Sequence, residues 1–290
     1  MTAPAHATSS HHTRGVWLML LSTAAFTTNV LLVRAIAEVE AVNVWLVAIT
    51  RFVIGLALLF TLYRRQLQFA RLFRHGRLAS RGIVGGAGVY TYYLTVVHLG
   101  AGRAGFIGNT YVIFAALLAV WMLRERFGPG LALGGAVALV GLGLLTNPFA
   151  SGSDTGWWDL LAIITALASA YVVVTIRELH ATEHTATIFA SQCVYGLLIC
   201  GAPAIALAGR SSAAGWALML LAAIAAAVGQ LAMTRAFRDL RVAEGSLLQM
   251  LVPLGIAVGG VALFGEHFTL AETIGAALIL AGTAYTVVRR

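Results

Sequence analysis

The sequence predicts an all-α integral membrane protein, with ten transmembrane helices arranged as two inverted-topology five-helix repeats. Three observations predict it. The first is composition: of 290 residues, 60% are hydrophobic and 10% charged, with a mean hydropathy of +0.88. Soluble domains carry about 25% charged residues, so this chain has too little polar surface to cover a globule in water. The second is a series of apolar runs about 20 residues long, the length that crosses a bilayer as a helix. The third is a passage written twice: Glu125 and Phe127 return 141 positions later as Glu266 and Phe268, and Gly134 and Gly141 return as Gly275 and Gly282.

Taken in order, residues 1–14 are polar and His-rich and read as a disordered cytoplasmic tail. Spans follow near 16–36, 44–63, 82–100, 104–123 and 129–147, giving a first repeat at 15–147. A linker at 148–155 leads to the second repeat, 156–290, with spans near 157–177, 187–208, 214–236, 243–263 and 271–288. All six tryptophans fall near span ends, where their half-polar rings prefer the headgroup layer. The loop "RRQLQFARLFRHGRLASR" (64–81) sets Phe69, Leu72 and Phe73 at helical spacing; it either lies on the inner leaflet or is a solvated basic loop. Cys193 and Cys200 are seven apart in one run, about 10 Å along a helix and too far for a disulfide, so they read as packing residues.

The same shift carries Gly15 to Gly156, Trp17 to Trp158, Gly55 to Gly196, Gly88 to Gly229 and Leu99 to Leu240, with no net insertion. Five spans is an odd number, so the second copy enters the membrane from the opposite side. That arrangement puts a pseudo-two-fold axis in the membrane plane and a site at the repeat interface near midplane. All 19 basic residues are Arg. Fifteen lie on the segments that share a side with the N-terminus; three (Arg34, Arg103, Arg210) lie opposite, and Arg51 lies within the second span. The positive-inside rule then puts both termini in the cytoplasm, in the inner (plasma) membrane. Arginines at the ends of apolar runs are topology signals, so the net charge of +8 gives no reason to expect a nucleic-acid partner.

The passages "WMLRERFGPGLALGGAVALVGLGLL" and "ALFGEHFTLAETIGAALILAG", with "QMLVPLGIAVGG" before the second, resemble the drug/metabolite transporter superfamily, EamA type. The resemblance covers residues 15–290 and implies a secondary transporter exporting small organic metabolites, with the aromatic amino-acid exporter branch as a nearer likeness. It implies a small-molecule substrate and a lipid bilayer as partners and no cofactor, with monomer and homodimer both open. The family often has a proline in the fourth and ninth spans. Here Pro253 stands in the ninth, but its counterpart is Val112, so a kink is expected in the second half only.

A midplane site needs polar or aromatic side chains deep in the spans, where they are costly against lipid. The candidates are Asn29, Tyr90, Tyr92, Asn109, Tyr111, Tyr171, Gln230, Ser246, Gln249 and Met250, drawn from both halves. For any single amide the competing reading is a hydrogen bond that merely joins helices. Pro253 lacks an N–H and frees the carbonyl of Gln249, which kinks the span. Arg51 lies roughly 10 Å in from the outer end of its span and either captures a substrate carboxylate or pairs with a carbonyl. Glu125 and Glu266, at helix starts, read as structural caps.

No acid lies near a span centre, and there is no HExxH, CxxC, glycine-rich phosphate loop or metal-ligand cluster, so the chain does not read as an enzyme. Aromatic walls with amide groups suit a zwitterion with an apolar side chain, hence amino-acid export by alternating access around a central cavity. The rival is sugar-phosphate or nucleotide-sugar exchange, which wants several deep cations where only Arg51 qualifies. An intramembrane enzyme is the distant alternative.

Overall fold

The structure of the protein, a computed structural model, describes residues 5–125, 128–147, 156–206, 211–265, 267 and 269–288. Regular structure among them is helical throughout. The elements are α1 (Ala5–Val39), α2 (Val44–Tyr63), α3 (Phe69–Arg74), α4 (Gly76–Asn109), α5 (Tyr111–Leu123) and α6 (Pro129–Thr146). Then come α7 (Trp157–Leu179), α8 (Thr185–Ala206), α9 (Ala213–Ala236), α10 (Val242–Gln249), α11 (Leu251–Phe264) and α12 (Leu270–Val288). Eight helical stretches among the described residues are long and apolar enough to cross a membrane, and Leu270–Thr286 is a shorter apolar helix. The expected third span falls within α4 and is not one of the eight; its glycines, threonines and tyrosines dilute its hydropathy.

A straight helix the length of α4 would outrun a bilayer. The side chains show that it is not straight. A Cβ on Gly108 would lie 3.4 Å from the Tyr92 ring, whereas sixteen residues of straight helix separate two atoms by about 24 Å. The chain therefore turns back on itself between Tyr92 and Gly108.

Polarity is arranged for lipid rather than water. Leu117, Val140, Leu198 and Ile205 point outward with 60–80% of their surface exposed, while Asn29, Gln192, Gln230 and Gln249 are buried. In hydrocarbon, polar groups must find partners inside the bundle.

The repeated passage forms one contact. α6 packs against α12 with Gly134 on the Gly282 carbonyl and Gly141 on the Gly275 carbonyl; an added Cβ would lie 2.5–2.7 Å from these oxygens in each direction. The early glycine of one helix meets the late glycine of the other, so these equivalent helices run antiparallel. Only residues without a side chain let backbones approach this closely. The other contacts also come in exchanged pairs: α1 on α9 matches α7 on α4, α2 on α9 matches α8 on α4, and α2 meets its own counterpart α8.

Three expectations need correction or completion. α1 starts at Ala5, within the segment expected as a tail, and docks on acids of the second half. Arg14 donates to Asp239 (2.9 Å) and His12 lies 2.6 Å from Glu244. The basic loop carries α3, which buries Leu72 and leaves Phe73 facing outward. The kink expected at Pro253 appears as a break at Met250, between α10 and α11, but the first half breaks as well, at Thr110. There, side chains do what proline does: Asn109 donates to the Gly105 carbonyl (2.7 Å) and Thr110 to that of Ile107 (2.6 Å), occupying acceptors of the helical ladder. The 148–155 linker and Glu266 lie outside the described residues.

Candidate functional site

The two breaks face a common space. Gly108, Asn109 and Tyr111 from one, and Gln249 and Val252 from the other, line a central cavity of about 250 Å³. α1 contributes Phe26 and Asn29, α2 Arg51, α4 Tyr92 and Tyr93, α7 Thr165 and Ser169, α8 Gln192, and α9 Gln230 and Met233. Among the described residues no Asp or Glu lines it. A second cavity of about 580 Å³ shares Asn29, Val30, Tyr92, Tyr93, Asn109 and Val252 with the first and runs past Pro253 to Arg34, Gly265, His267 and Glu272. Together they make a continuous vestibule opening at one end of the bundle.

The opposite end is shut. Arg14–Asp239, His12–Glu244, Arg71–Glu183 (3.2 Å), Arg77–Glu178 (3.4 Å) and Arg177–Glu125 (3.8 Å) tie α1, α3, α4, α5, α7, α9 and α10 together at this end. His180 donates to the Thr234 carbonyl (2.6 Å) and Arg177 to the carbonyls of Phe237 and Arg238. Burial beneath this layer, with Arg238 and Arg177 adding repulsion, lowers His180 to a pKa of about 4, against the pull of the Thr234 carbonyl. It is therefore neutral near pH 7. At the open end Arg103 meets Asp159 (2.8 Å).

Of the residues singled out from sequence, Asn29, Arg51, Tyr92, Asn109, Tyr111, Gln230 and Gln249 share the central cavity, and Pro253 lines the vestibule. Four do not join them. Tyr90 stacks on Trp45 (ring centroids 3.7 Å apart) on another side of α4. Tyr171 hydrogen-bonds Ser80 (2.7 Å) near the closed end. Met250 is fully buried in the apolar core between the breaks. Ser246 is buried beside it, and its carbonyl accepts from Tyr111 (3.5 Å).

Glu125 does cap a helix, but in the other half: its carboxylate accepts the Val242 N–H (3.0 Å) at the start of α10, while α6 begins instead at Gly128 and Pro129. Burial raises its pKa, with the Val242 N–H and the Arg177 charge acting in the opposite sense.

Within the cavity the polar groups divide between joining helices and facing the space. Asn29 donates to the Ala222 carbonyl (2.9 Å), and Gln249 to Ser22 (2.9 Å). Arg51 donates to Gln230 (3.3 Å) and lies 5.5 Å from the Phe26 ring centroid. The buried Tyr93 hydroxyl has no hydrogen-bond partner among the described residues.

Sequence reading missed Gln192 as a site residue, although it is the repeat counterpart of Arg51. It also missed Arg81, placed among the loop arginines. α4 starts at Gly76, so Arg81 already stands inside the helix, fully buried, with Nη2 donating to Gln192 (3.0 Å). A usable signal was Gly85, four residues on and on the same face, which leaves the side chain room.

Comparison with known proteins adds a family. The EamA-like transporter family matches the chain twice, over residues 13–147 and 156–288. The pseudopaline exporter CntI of Pseudomonas aeruginosa, in two strains, is 26% identical over 231 residues, covering 77% of this chain and 78% of its own. A protein of known crystal structure superposes with a TM-score of 0.74 at 19% identity, covering 95% of this chain and 96% of that one, a likeness of fold alone.

Proposed function

Because the chain belongs to the EamA-like transporter family, we propose that it is a secondary transporter exporting a small organic metabolite, amino acids first among them, by alternating access. The observation that carries this reading is the cavity itself. It is walled by both halves, bounded by a helix break from each, open through a vestibule at one end and sealed by ion pairs at the other. Such breaks are tolerated at membrane depth where they line a cavity.

In this proposal the chain crosses an inner membrane ten times in two inverted five-helix repeats, 15–147 and 156–290, with both termini cytoplasmic. This arrangement is supported by the antiparallel packing of α6 on α12, the exchanged helix contacts and the arginine distribution. On that orientation the vestibule faces outward. A relative whose name is that of an exporter supports outward flux. Tyr92, Tyr93 and Tyr111 give an apolar side chain a wall, and the Gln192 and Gln230 amides and Arg51 give a carboxylate its partners.

Counterflow in proteoliposomes preloaded with unlabelled solute tests the class. The expected result is a transient accumulation of labelled amino acid above equilibrium. Accumulation only with nucleotide sugars loaded inside and out would favour the rival exchanger of the same superfamily.

A further inference from the structure

The cavity has a cationic side that amino-acid export as such leaves unexplained. Arg51 reaches it from α2. Arg81 lies behind its wall on α4, fully buried; Nη2 meets Gln192, but Nε and Nη1 have no hydrogen-bond partner among the described residues. A Cβ on Gly85 would lie 2.6 Å from Arg81 Nη1, and Gly85 itself lines the cavity. A side-chain-free backbone thus sits between this guanidinium and the open space. Neither Arg51 nor Arg81 has an acidic partner among the described residues.

Charges are rarely left this way inside a bundle. A buried guanidinium with free N–H groups is strongly unfavourable unless an anion meets it, and a neutral side chain would fill the same volume at less cost. The duplication frames the pair. Arg51 bonds Gln230 across α2–α9, Arg81 bonds Gln192 across α4–α8, and these two interfaces are counterparts. Each cation is held by an amide oxygen, and at Arg81 two nitrogens have no hydrogen-bond partner among the described residues.

We propose that the cavity takes a small organic solute carrying two negative charges, one met by Arg51 and the other drawn to the Gly85 side of the wall by the Arg81 guanidinium behind it, and that Arg81 determines this specificity. Carboxylate pairs and phosphate monoesters share the required chemistry. The inference rests on the transport reading and narrows its cargo.

The test is counterflow with the full chain in proteoliposomes, using solutes matched in shape and differing in charge. One arm compares glutamate with glutamine and glutarate with glutaramate; the other compares glucose 6-phosphate with glucose; phenylalanine is run beside them. The expected result is exchange of the more anionic member at least about tenfold faster in one arm, as loss of charge-assisted hydrogen bonds implies. The arm that responds identifies carboxylate or phosphate.

Arg81→Gln should reduce that preference to about twofold, and Arg81→Lys should restore part of it. Gly85→Ala keeps both charges but sets a methyl group against Nη1, and should lower the same preference. Thermal melting of each variant separates this from misfolding, and if Arg81→Gln does not fold, the Lys and Gly85 variants decide. Equal or faster exchange of the less charged member in every arm overturns the inference, as does an undiminished preference in Arg81→Gln. Phenylalanine exchange without any such preference removes this inference and leaves the transport reading standing. Exchange of nothing in the panel removes both.

Discussion

Asn29 and Gln230 are both buried amides at the same cavity, yet their atoms are committed differently. Asn29 spends its NH₂ on the Ala222 carbonyl and so fastens α1 to α9. Gln230 offers its oxygen to Arg51 and helps hold a charge in the cavity. Asn29→Ala should therefore lower the melting temperature, at about 1 kcal/mol, by removing the side-chain hydrogen bond that fastens α1 to α9. Gln230→Ala should weaken substrate affinity roughly fivefold with a smaller effect on melting. Binding and thermal stability measured on both variants together check the division, and the reverse pattern would exchange the two roles. Depth along a span was legible from sequence because polar atoms in apolar runs are few. Direction was not. Tyr90 and Tyr92 are equally deep, but two helical residues differ by about 200° around the axis, so one faces the cavity and the other stacks on Trp45. Arg81 was illegible for another reason: helix α4 begins before its apolar run does, which turns an apparent loop arginine into a buried one.

At the scale of elements, the duplicated glycines explain why the passage around them is written twice. Each copy supplies one side of the α6–α12 contact, and each side needs a bare backbone at the same two heights. Gly141→Leu should force these helices apart and destabilise the protein by about 1–3 kcal/mol, the usual cost of overpacking. Gly76→Ala, where an added Cβ meets nothing within 4 Å, serves as the control. Melting curves of the two variants in detergent check this, and equal curves would mean that the close approach contributes nothing. Spacing alone revealed the repeat, since a constant shift survives substitution at most positions. It did not reveal the break at Thr110. Proline marks a break by lacking an N–H, whereas Asn109 and Thr110 reach one through hydrogen bonds that many unbroken helices also contain.

For the whole molecule, the ends of the cavity are unequal: a vestibule at one, and at the other a layer of ion pairs with the neutral His180 beneath it. On the alternating-access proposal, two halves whose helix contacts come in exchanged pairs would adopt the mirrored arrangement, opening the sealed end and closing the vestibule. Arg14 and Arg71 are partly exposed but the carboxylates of Asp239, Glu244 and Glu183 are buried, so opening that end requires water or new partners to reach them. The most direct test is the two-sided accessibility of one cavity position. Met233→Cys lines the cavity, and Cys193→Ala with Cys200→Ala removes the native thiols. A membrane-impermeant thiol reagent is applied to vesicles of either orientation, with a fluorescent ion-pair-end marker reporting that the membrane is sealed. Alternating access predicts labelling from both sides, slower from the side of the ion pairs and faster there once Arg14→Ala and Arg71→Ala loosen that end. Labelling from the vestibule side alone, unchanged by those substitutions, would contradict it.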